Sequence, residues 1–125
     1  MAKNIFIIII LMFSFGCAYK QIQIDMRSEV VEQANEIFSS SHVEMTFCIG
    51  KTKGIYNVNK GSFMSTDQAI CINSISCHTH PWWSLERFHN WIDEHAWDEY
   101  KKVYGNEVFA VMYGINDIRF YKKDK

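Results

Sequence analysis

Two histidines one residue apart, in His78-Thr79-His80-Pro81, are the side chains of this sequence best spaced for chemistry. On a strand, residues i and i+2 point to the same face, so the two imidazoles stand side by side. Such a pair is a two-nitrogen arm for a borderline metal such as zinc, whose nitrogen ligands lie about 2.0–2.1 Å from the ion. Pro81 biases His80 toward an extended backbone, which suits a ligand at the end of a strand. A surface pair of histidines has the same spacing, so the surroundings of the motif decide its meaning. Downstream, Glu86, His89 and Asp93 share one face of a predicted helix and offer further ligands. The four tryptophans Trp82, Trp83, Trp91 and Trp97 all follow the motif closely. They read either as an aromatic wall beside a substrate groove or as filling between helix and sheet, and the habitual burial of Trp favours the second.

Helices and strands in alternation must position these residues. Val30, Val31, Ala34, Ile37 and Phe38 recur at helical spacing and predict a helix over Ser28 to Ser41, with Ser28 as N-cap. Strand-like runs follow at Met45 to Ile49, Ile55 to Val58 and Ala69 to Cys77, separated by Gly50, Gly54 and Gly61. A second helix is predicted from about Leu85 to Tyr104, with Ser84 as N-cap and Gly105 as its stop. Val108 to Tyr113 and Ile118 to Tyr121 close the chain as two strands around the turn Gly114-Ile115-Asn116-Asp117. The order helix, strands, helix, strands predicts one α+β domain over residues 22–125, with no repeat, linker or low-complexity tract.

Residues 28–121 resemble the JAB/MPN (JAMM) metallopeptidase domain. The resemblance rests on a leading helix, then a Glu before an apolar strand ending in Gly (Val43-Glu44-Met45-Thr46-Phe47-Cys48-Ile49-Gly50). It continues through a strand ending in His78-Thr79-His80-Pro81, a helix, and two closing strands. It implies a cytidine-deaminase-like mixed sheet flanked by helices. It also implies zinc held by His78, His80 and a downstream Asp, with Glu44 as general base on a water in the open fourth position. The chemistry is coherent, since zinc lowers the pKa of its water toward about 7 and a carboxylate then accepts the proton. The family's Ser and Asp positions fall on Phe88 and Trp91 here, neither of which does that work. A loop longer by two residues puts Asn90 and Asp93 in those places, and Asp93 is the favoured third ligand. A shorter loop puts Ser84 at the Ser position and Arg87 at the Asp position, and Glu86 or His89 could ligate instead.

Residues 1–16 read as an address. Lys3 precedes an almost unbroken apolar run, Ile5 to Phe15, too short to span a bilayer comfortably. Ser14-Phe15-Gly16-Cys17 resembles a bacterial lipobox, which predicts a signal peptide, lipidation at Cys17, and a membrane-anchored protein of the cell envelope. Cys48, Cys71 and Cys77 then remain, leaving open one disulfide of undetermined pairing or three buried thiols. With 13 Lys+Arg against 14 Asp+Glu and a net charge of −1, the chain lacks the basic excess of a nucleic-acid binder. Aromatics at 15% argue against disorder. The expected function is zinc-dependent hydrolysis of a peptide or amide bond in a peptide or protein substrate. The alternative is a non-catalytic JAB-like binding or scaffold lipoprotein. A heavy-metal-binding lipoprotein using the histidines and cysteines accounts less well for the order of elements.

Overall fold

Apolar alternation along the chain produces strands that share a single mixed sheet. The computed structural model describes residues 19–40, 42–52, 54–61, 69–80 and 91–124, with the side chains of 91–93 outside that description. In chain order the elements are β1 (Tyr19–Ile22), α1 (Ser28–Ser40), β2 (Met45–Gly50), β3 (Gly54–Lys60), β4 (Ile75–Thr79), α2 (Trp91–Tyr104), β5 (Val108–Gly114) and β6 (Asp117–Lys123). The six strands lie in the order β1-β6-β5-β4-β2-β3. β4 and β5 run parallel, and the other neighbours are antiparallel. Parallel neighbours need a crossover, and α2 lies in the chain between these two. The architecture is α+β, as the element order predicts.

The α1 face of the sheet carries one apolar core. Val30 and Ala34 of α1 pack on Phe47, Ile49, Cys77, Ala110, Met112 and Phe120, with Ile37 and Phe38 at the margin. Fully burying a side chain of Val or Phe size stabilises by about 1.5–3 kcal/mol, so this face holds the helix. The N-cap is Arg27 rather than Ser28, because the Arg27 carbonyl accepts from the amides of Val30 and Val31. Asn35 of α1 bonds the amide and side chain of Asn116, pinning the β5–β6 turn.

Over the opposite face lies α2. Its Trp97 is fully buried, stacked on Phe109 and Tyr121 and met edge-on by Tyr19. The core reading of this tryptophan holds; Trp82 and Trp83 and the Trp91 side chain lie outside the described residues. Gly105 ends α2 as its spacing predicts, at φ +72° with its amide on the Lys101 carbonyl. Two elements differ from expectation. β1, which the sequence did not mark, joins the sheet edge through β6, and its Tyr19 hydroxyl donates to Asp98 at 2.9 Å. Of the predicted strand Ala69 to Cys77, the first six residues form a strap instead. The Cys48–Cys71 disulfide binds it, the Ala69 amide bonds Thr46 Oγ1 at 3.0 Å, and the Asn106 amide group bonds the carbonyls of Cys71 and Ser74. Asn73 turns the strap into β4 at φ +55°.

Candidate functional site

The parallel β4–β5 ladder aligns His78 with Val111 and Thr79 with Met112, and the His80 amide continues it by donating to the Met112 carbonyl at 2.8 Å. Both imidazoles are buried, and their Nε2 atoms lie 3.0 Å apart. One ring protonated at Nε2 and the other accepting makes that contact a hydrogen bond. Two nitrogens 2.0–2.1 Å from a tetrahedral zinc lie about 3.3 Å apart. The pair therefore fits as one edge of such a site after opening by a few tenths of an ångström. Its alignment comes from strand alternation, which places His78 and His80 on the α2 face.

Glu44 enters through register. Thr46 faces His78 across the antiparallel β2–β4 pair, and Glu44 lies two residues before Thr46, immediately ahead of β2. Its carbonyl accepts the Gly61 amide at 2.9 Å, and the next amide, Met45, bonds Thr79 Oγ1 at 2.9 Å, which fixes the backbone on both sides. Glu44 is half-buried at the end of the strand. The fold therefore sets Glu44 just before β2, whose neighbour β4 carries His78, with His80 just beyond that strand's end.

Sequence reading expects a three-residue metal group, but among the described residues no group of three or more His, Cys, Asp or Glu could hold a metal ion. Two described acidic side chains of α2 make contacts with β1. Glu94 is buried and accepts the Tyr19 amide at 3.1 Å, while Asp98 accepts from the Tyr19 hydroxyl and from Lys123 at 2.8 Å. Both dock β1. Asp93 falls in the first turn of α2 with its side chain outside the description, and Ser84, Glu86, His89 and Asn90 lie outside the described residues. Cys17 and the address segment also lie outside them, and no helix among the described residues is long and apolar enough to cross a membrane.

Around the pair stand Trp97 and two residues that the sequence did not single out, Tyr113 and Arg119. The Tyr113 ring meets His80 edge-on at 5.2 Å, and the Trp97 ring lies 6.2 Å from His78. Arg119 sits 4.5 Å above the Tyr113 ring, its guanidinium bonded to both oxygens of Asp117 at 3.1 and 3.3 Å. The Asp117 hydrogen bond holds the Arg119 cation more firmly protonated than usual. Only knowledge of the β4–β5–β6 register could have placed these side chains beside the histidines. Cys77 faces the opposite core, where burial pushes its thiol far above the usual range and leaves it unreactive. Comparison with protein-family models, with curated proteins and with solved structures returns no match for this chain.

Proposed function

We propose that the chain is a hydrolase of peptide or amide bonds, built on a JAB/MPN-like sheet and using zinc carried by His78 and His80. The observation that carries this reading is the pair of buried imidazoles, Nε2 to Nε2 at 3.0 Å, beside the strand that Glu44 leads into. The mixed sheet with a parallel β4–β5 pair is consistent with the fold. A third protein ligand would come from residues 81–93, beyond the described side chains. Zinc bound there would supply Lewis-acid chemistry, acidifying water and polarising a carbonyl.

The chain's own residues do the rest. His78 and His80 present their ring nitrogens, held in place because their backbone belongs to the β4 ladder and its continuation. The Glu44 carboxylate accepts a proton from the attacking water and returns it to the leaving amine nitrogen. Tyr113 and Trp97 wall the site on the β5 and α2 sides and exclude bulk water, which strengthens every charge interaction inside. The Cys48–Cys71 disulfide supports an oxidising compartment, in keeping with residues 1–17 as an export signal and lipid anchor.

A second reading is a binding module of the same fold without catalysis, favoured by the want of a three-residue metal group among the described residues. Metal content and turnover separate the two. One zinc per chain, with a Glu44→Gln variant that keeps the metal but hydrolyses peptides at least 100-fold more slowly, is the result expected of the hydrolase. Protein that takes up no zinc on reconstitution would overturn it in favour of the module.

A further inference from the structure

Beside the histidines, on the same face of the sheet, lies a cation that the proposed hydrolysis does not use. Arg119 pairs across β5–β6 with Val111, which packs against Trp97, so its side chain rises on the α2 face. The guanidinium rests 4.5 Å over the Tyr113 ring, and that ring lies 5.2 Å from His80. Those two steps keep the cation within three residues of extended chain from His80, at about 3.3–3.6 Å per residue.

Arg119 is also held in place. Asp117 grips the guanidinium at two points, the Tyr113 ring supports one of its faces, and Asn35 pins the turn that carries both strands. A guanidinium so fixed gives up little conformational freedom on receiving a ligand, and its planar fork matches a carboxylate. The side chain is 31% exposed, so it is open to solvent at the rim rather than sealed in the core. Asp117 offsets part of its charge and sets its direction, which favours a ligand that supplies its own hydrogen-bond acceptors over a diffuse anion.

We infer that Arg119, stacked on Tyr113, is a specificity-determining residue that receives a substrate carboxylate, an Asp or Glu side chain or a free C-terminus, within three residues of the scissile bond. This inference rests on the hydrolase reading above and names its substrate class: acidic peptides.

The test uses the zinc-reconstituted full chain and a library of short peptides in which Asp and Glu are matched by Asn and Gln, with free or amidated C-termini. Cleavage is read by mass spectrometry, and binding of the same peptides is measured on the Glu44→Gln variant. The expected result is a preference for the carboxylate-bearing member of each pair. Arg119→Ala should remove that preference, lowering kcat/KM for acidic peptides roughly 10- to 100-fold through KM and leaving the amide analogues unchanged, as for loss of one charged hydrogen bond. Arg119→Lys, which keeps the charge without the fork, should retain part of it and gives the same test if the alanine variant does not fold. Cleavage with no acid preference, or a preference that survives both substitutions, overturns the assignment of Arg119 while the hydrolase reading stands. Zinc bound with no peptide cleaved refutes the hydrolase reading, and the substrate assignment falls with it.

Discussion

The Cys48–Cys71 crosslink joins residues 23 positions apart, and the effect of cutting it can be worked from that separation. The bond removes loop-closure entropy from the unfolded chain, and for a loop of this size the relation gives about 3.4 kcal/mol at 25 °C. For a domain near 100 residues, that corresponds to a fall in Tm of roughly 14–27 °C. Replacing both cysteines by alanine in the full-length protein, rather than one, avoids leaving an unpaired thiol. Urea unfolding followed by circular dichroism then gives two readouts. The unfolding free energy should fall by about 3.4 kcal/mol and the midpoint with it, and the slope with denaturant should rise, because an uncrosslinked unfolded chain exposes more surface. Peptide mapping without reductant should recover Cys48 linked to Cys71, while Cys77 reacts with a thiol reagent only in unfolded protein. Equal midpoints for the crosslinked protein and the variant would refute the reasoning, since the strap would then be held by its hydrogen bonds alone. The strap also feeds the site, because the Ala69 amide bonds the hydroxyl of Thr46, the residue facing His78. Hydrogen exchange at 69–74 should therefore accelerate in the variant more than in α1.

Two further outcomes follow from buried polar groups. Although partial burial opposes it, hydrogen bonds from Lys123 and Tyr19 hold the Asp98 carboxyl below its usual pKa. Its contribution to stability is thus present above the unfolded value of about 3.9 and lost as pH falls through the lower folded value, so Asp98→Asn should flatten acid unfolding in that window, and an unchanged acid limb would contradict it. His78→Val with His80→Val should abolish zinc uptake while leaving the urea midpoint unchanged or raised, as expected where function is maintained at the expense of stability; a loss above about 3 kcal/mol would make the pair a structural hydrogen bond instead.

What the sequence disclosed depended on how local the cause was. The α1 periodicity, the β2 run and the Gly105 stop are written in neighbouring residues, and each forms close to where it was expected. The strap misleads because Ala69 and Cys71 are buried while Ile70 and Ile72 are exposed, an alternation identical to that of a strand. Its bonds go to Thr46, Asn57, Asn106 and a disulfide rather than to a ladder, and those partners are distant in sequence. β1 was silent for a similar reason. Its short Tyr-Lys-Gln-Ile run has no pattern of its own and is secured by Trp97, Asp98 and β6. At the site, strand alternation sufficed to pair His78 with His80, whereas Tyr113 and Arg119 required the sheet order.

The two faces of β2 and β4 differ in a way that stability alone does not require. Toward α1 the residues are Phe47, Ile49 and Cys77, which bury apolar surface at no polar cost. Toward α2, at positions alternating with these, are Thr46, Cys48, Ser76, His78 and His80, of which three carry hydroxyl or imidazole groups at 5% exposure or less beyond the Thr46 hydroxyl. A buried polar group left without a partner costs about 1–3 kcal/mol, and even a satisfied one gains little over a well-packed apolar side chain. Valine or isoleucine at these positions would serve the sheet as well or better. His78 and His80 lie at and just beyond the end of β4, where the Tyr113 ring meets His80 and Arg119 sits over that ring. α1 thus covers an apolar face, whereas the α2 face combines the Trp97 aromatic cluster with buried polar groups on β2 and β4, a mixture that packing alone does not require.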